Sequence, residues 1–273
     1  MTTTTPTLFS FLLIDGALVG GAAAYLPLGQ DGRPDWATPL YEDPEAASVS
    51  PLLIDIAAAQ QAGPLEQMMA LMNAMRPQLH VSIIDTALPN AELVRHLRRF
   101  IYITTEADRQ LTLRFADCAV LPALASVLSP TQWATLAEPI ARWRVHQRDG
   151  ALATLPPAAR GQNPAPTPLA LASAQIDELS EAMAPDRLIL NVQASRPTSP
   201  LPGTALQQHR WASHARALWR GVGHADDNLL ISFTSAVFDT QGKLLRHPHL
   251  PAILDLQDAA AIRQRLREIL KQY

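Results

Sequence analysis

Two aspartates close apolar runs: Asp55 follows PLLI and Asp85 follows VSII. Carboxylates at strand ends can meet in a cleft, and with a histidine they would serve hydrolysis as acid and base. Aspartates at such ends also make turns and caps. Of eight histidines, His209 and His214 are five residues apart, which puts them on different faces of a helix and makes them poor joint ligands. His247 and His249 flank Pro248 in a turn, where a metal would need further ligands from elsewhere in the chain. Cys118 is the only cysteine, so no internal disulfide is possible. It follows Asp117 at the expected start of a helix, where thiols are activated, but the sequence names no partner base.

Two basic clusters stand out. One is His96, Arg98 and Arg99 in HLRRF, and the other is Arg142, Arg144, His146 and Arg148 in ARWRVHQR. On a strand the second set projects to one side and Trp143 to the other. Such a row is a solvated strand face or the polar rim of a protein-binding surface.

The motifs of familiar enzymes are missing. There is no G-x-S-x-G elbow, no glycine-rich phosphate loop with lysine and no H-E-x-x-H pair. Gly20-Gly21 is too little for a dinucleotide fingerprint. No catalytic residue, cofactor or metal is therefore expected. Net charge is −3 with no long charge run, which argues against a binder dominated by phosphate contacts, so no nucleic-acid partner is expected. Residues 1–150 carry ten arginines against fifteen acids, while residues 151–273 carry twelve basic residues against ten acids. That asymmetry fits two lobes with different surfaces. The apolar start lacks a positive leader and is interrupted by Asp15, so residues 8–14 read as a buried strand and no membrane association is expected.

The elements that must position these groups follow from period and punctuation. Residues 8–14 end in the Asp15-Gly16 turn signal. Residues 17–26 read as a helix, residues 27–39 as a loop and residues 51–56 as a strand. Residues 64–75 are helical by period, with Leu65, Met68, Met69 and Met72 on one face. Residues 79–84 read as a strand and residues 88–99 as a helix with Leu93, Val94 and Leu97 inward. Residues 100–104 and 110–115 read as paired strands. Asp117 reads as the cap of a following helix that turns Leu121 and Leu124 inward, which makes this corner architectural. Arg114 is placed to reach a carboxylate or a helix end. Ser129-Pro130-Thr131-Gln132 is a capping-box start, and residues 140–145 read as an edge strand.

Residues 150–167 hold four prolines, with a fifth at Pro168, and read as a linker. Beyond them the period is mostly helical, with stripes at Ala172, Ile176, Leu179 and Met183, then Trp211, Ala215, Leu218, Trp219 and Val222. Residues 227–238 fit either a helix or a strand, with a helix capped by Asp226 or Asp227 favoured, and residues 258–272 read as a last helix. The fold class is α+β: a mixed α/β lobe over residues 1–149, the linker over 150–167 and a helical lobe over 168–273.

The ordered series FLLIDGAL, PLYED, PLLIDI, LVRHLRRFIYI, LTLRFADCAVLPAL and LSPTQWATLAEPIARW resembles the adaptor chaperones of bacterial type VI secretion, the Tap/Tec type with a DUF4123 domain. FTSAVFDTQGKLLRHPHLPAIL and AIRQRLREIL are similar to that family's weaker closing pattern. Ala116 stands where the family often has tyrosine, and Cys118-Ala119 where it often has Pro-Arg. Val49-Ser50-Pro51 replaces a longer acidic lead-in. The resemblance implies a cytoplasmic, non-catalytic protein that binds a secreted effector and helps load it onto the VgrG spike, with effector choice in the C-terminal lobe. Arg98, Arg99 and Arg114 match the family's N-terminal motifs. In the second lobe Trp211, Leu218, Trp219 and Phe233 are the partner-binding candidates, because aromatic residues often anchor interfaces. The alternative is a hydrolase using Asp55 and Asp85 with a histidine, which requires those groups to converge in one cleft.

Overall fold

The computed structural model describes residues 7–20, 36–159, 161, 164–271 and 273. The elements run β1 (Phe9–Ile14), β2 (Ala37–Pro39), β3 (Leu52–Asp55), α1 (Ile56–Ala62), α2 (Leu65–Ala74), β4 (Val81–Thr86), α3 (Asn90–Arg98), β5 (Tyr102–Thr105) and β6 (Gln110–Thr112). There follow α4 (Leu121–Val127), α5 (Pro130–Ala137), β7 (Ile140–His146), β8 (Leu152–Thr154), β9 (Leu169–Leu171), α6 (Ser173–Ser195), α7 (Ala205–Gly221), α8 (Asp227–Asp239), α9 (Leu250–Leu254) and α10 (Ala259–Leu270). The fold class is α+β, with a sheet-containing N-terminal region followed by helices. The chain divides into two compact units between Leu179 and Ser180, inside α6.

In the first unit, six strands form one sheet in the order β2-β3-β1-β4-β7-β8, with every neighbouring pair antiparallel. β1 lies inside it and is buried on both faces, which its unbroken FLLI run demands. Phe11 and Leu13 enter one core with Leu53, Ile84, the inner faces of α3, α4 and α5, and Trp133 and Trp143. Leu12 and Ile14 enter another with Leu52, Ile54, Met68 and Met72. The alternation is the period-two geometry of a strand, and helices α1–α2 and α3–α5 supply the partners on the two faces. Of the methionine stripe, Met68 and Met72 are buried while Met69 is exposed. A smaller sheet, β6-β5-β9, pairs β5 antiparallel to β6 and parallel to β9.

Several local expectations change. β7 is no edge strand, because β8 pairs with its outer side (Arg144 with Thr154 through His146 with Leu152). Its weak alternation reflects a sheet face whose polar residues are engaged by neighbours. Residues 152–154, in the proline-rich stretch, supply that pairing strand. Residues 17–20 form a turn, and the rest of the helix expected over 17–26 lies outside the described residues. Residues 27–35 of the expected loop also lie outside them, while Ala37–Pro39 pair with β3. Helix α1 was hidden because Asp55 ends the strand and caps the helix in one step, its carboxylate accepting from Ala58 N–H at 3.0 Å. After Asp117 the chain turns before α4 begins at Leu121. The Asp117 carboxylate accepts from Ala119 N–H at 2.8 Å and holds that turn instead of capping the helix. The capping box at Ser129 and Gln132 forms as the residues require.

The second unit is helical. Asp226 caps α8, accepting from Asn228 N–H and Leu229 N–H. α8 packs against α7 and α10 and is buried around most of its circumference, with Leu229, Leu230, Phe233, Ala236, Val237 and Phe238 inside.

Candidate partner-binding site

The N-terminal motifs meet one another. Asp15, at the end of β1, is 4% exposed. Its Oδ2 accepts from Arg114 Nη2 at 2.8 Å, and the same guanidinium lies 3.3 Å from Asp117 Oδ2. Asp15 Oδ1 takes Ala17 N–H at 3.0 Å and so shapes the turn. Gly16 in that turn lies against the backbone of Ser50: a Cβ there would stand 2.3 Å from the Ser50 carbonyl oxygen. Ser50 in turn accepts Tyr41 N–H on its hydroxyl at 2.9 Å. Thus IDG, PLYED, SPLLIDI and RFAD close on a single corner. Burial and the Asp15 charge raise the Tyr41 phenol above its ordinary value.

Arg98 belongs to the same kind of contact. Its Nη1 donates to Glu42 Oε1 at 2.8 Å and its Nη2 to the Pro39 carbonyl at 3.1 Å. Arg99 is exposed, lies 5.7 Å from the Phe100 ring centre and donates to the Thr167 hydroxyl at 3.3 Å. His96 Nε2 meets the Leu136 carbonyl at 2.7 Å, so that nitrogen carries the proton. Burial pushes the His96 imidazole below its ordinary value, and burial followed by the nearby His146 does the same to His80.

The arginine row of β7 also turns out to be engaged. Arg144 Nη2 reaches both Asp85 oxygens, at 3.2 and 3.0 Å, Arg142 Nε lies 3.8 Å from Oδ2, and Ser10 Oγ donates to Oδ1 at 2.7 Å. His146 Nδ1 meets the Val81 carbonyl at 3.0 Å. The register explains this: Asp85 sits opposite Arg142, at a point where the β4–β7 pairing slips by a residue. Asp85 therefore works as the hub of a sheet-face ion cluster and Asp55 as a helix cap. Cys118 donates its thiol to the Val81 carbonyl at 3.1 Å, and burial pushes its pKa up to about 12, the opposite of an activated thiol. Among the described residues no cluster of three or more histidine, cysteine or acidic side chains could hold a metal ion.

In the helical unit the aromatic candidates separate. Trp219 and Phe233 are 1% and 0% exposed and stack at 6.2 Å inside the core, with His224 stacked on Trp219 at 4.3 Å. Leu218 packs partly buried against that core. Trp211 is half-buried and borders a groove of 570 Å³ with Gln207, Arg210 and His214 of α7 and Gln241, Gly242, Lys243, Leu245 and Arg246 after α8. Its indole meets the Phe238 ring edge-on at 5.9 Å. Two glycines let the backbone close on it. A Cβ would come within 2.2 Å of Trp211 Nε1 at Gly242 and within 2.8 Å of its ring at Gly203. Both glycines have positive φ, +80° and +85°, so the chain folds back there without strain. Arg210, Lys243 and Arg246 were not singled out by sequence reasoning. The one available signal was Gln241-Gly242-Lys243, a turn that brings Lys243 and Arg246 back beside α7.

Residues 10–135 match the family model described as Domain of unknown function (DUF4123). That is the domain family of the type VI secretion effector adaptors of the Tap/Tec type, so the resemblance carried by the N-terminal motifs holds over those residues. No curated protein and no solved structure matches the chain. No helix among the described residues is long and apolar enough to cross a membrane.

Proposed function

We propose that this chain, whose residues 10–135 are a DUF4123 domain, is a cytoplasmic, non-catalytic adaptor chaperone. It binds a secreted effector of a type VI system and helps load that effector onto the VgrG spike. The domain match is the observation that carries the reading. The chemistry of the site is in keeping with it: Asp15, Asp55, Asp85, Arg98, Arg114 and Cys118 are occupied in holding elements together, through the bonds described above. A protein that grips another needs a stable frame and a surface with an apolar centre and polar rim. Arg99, exposed in the domain, and Trp211 and Leu218, partly exposed in the helical region 168–273, are the candidates for such a surface. We assign effector choice to that helical region.

The test is co-expression of the full chain with the protein encoded in the gene beside it and with the VgrG of the same cluster, followed by affinity capture and size-exclusion chromatography. A stable complex with the neighbouring protein, and a ternary one with VgrG, is expected. Retention of neither would overturn the reading.

A further inference from the structure

The groove beside Trp211 carries positive charge and no acid. Arg210, His214, Lys243 and Arg246 border it, and its lining contains no aspartate or glutamate. Four other arginines of this unit are paired: Arg216 and Arg220 with Glu181, Arg196 with Asp239, and Arg265 with Glu268. Arg210 and Arg246 are not. Both are exposed, and no described residue gives either a hydrogen bond or a carboxylate. Lys243 holds its ammonium 5.7 Å from the Tyr273 ring centre. Like charges gathered on one rim repel one another and cost stability unless a partner neutralises them.

The centre of the groove is built in the opposite manner. Trp211 is clamped by the two glycines and by Phe238, so its indole is held in one orientation before anything binds. Tryptophan and arginine are enriched at the energetic centres of protein interfaces, and a side chain ordered before binding costs less to fix. The volume, 570 Å³, suits a few side chains of an extended segment or one helical turn.

We propose that this groove is a docking site for an acidic peptide segment of a protein partner. An apolar side chain of that segment lies on Trp211, and its carboxylates meet Arg210 and Arg246. Charge complementarity selects this occupant. A nucleic acid would need a longer track of cations than Arg210, Lys243 and Arg246 on a chain of net charge −3. The inference rests on the adaptor reading for the partner's identity, and gives that reading a location and a chemistry.

Two measurements on the full chain separate the two ideas. The first is fluorescence anisotropy with a fluorescein-labelled peptide alternating glutamate and leucine, and with its lysine–leucine counterpart. Wild type is expected to bind the acidic probe alone, and Arg210→Glu/Arg246→Glu to weaken it by about tenfold or more. Arg109→Glu/Arg267→Glu, which changes net charge equally at other exposed sites, is expected to weaken it far less. Arg210→Gln/Arg246→Gln supplies a milder second variant, and unchanged thermal melting shows that each variant is folded. Equal weakening by both reversals would mean attraction to overall charge and would overturn the proposal, as would binding of the lysine probe or of neither probe. The second measurement captures the neighbouring-gene protein. If wild type and the groove reversal retain it equally, the groove is wrong and the adaptor reading stands. If wild type does not retain it, the adaptor reading fails, and the peptide result alone decides the groove.

Discussion

Arg114 bonds Asp15 across ninety-nine residues of chain, with Nη2 donating to Oδ2 at 2.8 Å. The Asp15 side chain is 5% exposed and the Arg114 side chain 45%, so one side of the pair is dry and the other partly solvated. The bond joins the turn after the first strand to the turn before α4, and so ties the first motif of the domain to one of its last. This is why two residues that could be read as binding groups are better understood as a clasp.

Removing Arg114 should therefore loosen the domain. Arg114→Ala is expected to cost about 1–3 kcal/mol, towards the low end because its own side is solvated. Asp15→Asn should cost a similar amount, and the double variant less than the sum. Urea unfolding of the three variants gives the coupling. Strict additivity would mean that the contact contributes nothing.

Gly16→Ala should be more damaging than its size suggests. The added methyl would sit 2.3 Å from the Ser50 carbonyl oxygen, which is backbone and has no rotamer to move. A loss on the order of 1–3 kcal/mol is expected from such overpacking. Gly221→Ala is the control, since a Cβ there meets nothing within 4 Å and φ is not positive. Chemical denaturation of both variants should place Gly16→Ala well below wild type and Gly221→Ala at or above it.

Cys118 should be inert in the folded protein. It is 3% exposed, and burial holds its pKa near 12. Ellman's reagent at neutral pH is expected to titrate no thiol in native protein and one per chain in guanidinium. Rapid native labelling would show that the corner between β4 and α4 opens.

Acid should weaken the first unit through its buried histidines. Burial lowers the folded-state pKa of His96, and burial aided by His146 lowers that of His80. In the unfolded chain both take up a proton near pH 6.5. Below that pH the unfolded state binds more protons than the folded one, so stability rises with pH across this window. The full contribution is present above the unfolded value and is lost as pH falls through it towards the folded value. Urea midpoints should drop between about pH 7.5 and pH 5. His96→Gln, whose amide can still donate to the Leu136 carbonyl, should flatten the slope. An unchanged slope would assign the acid sensitivity elsewhere.

The amino-acid sequence by itself determined the local pieces of this protein. The FLLI run had to be a buried strand and Ser129 through Gln132 had to start a helix, because backbone period and cap chemistry are settled within a few residues; residues 227–238 fit helix or strand by pattern, with helix favoured behind an aspartate cap. The ordered motifs were enough to identify the domain family. Tertiary structure alone decided what the charged residues do. Asp85 meets Arg142 and Arg144 only because β4 pairs with β7 in one register, and a slip of one residue would send those side chains to the other face. Asp15 finds Arg114, and Trp211 gains Arg246 as a neighbour, only when distant turns close on each other. Such pairings depend on long-range packing, which no local pattern in the sequence records.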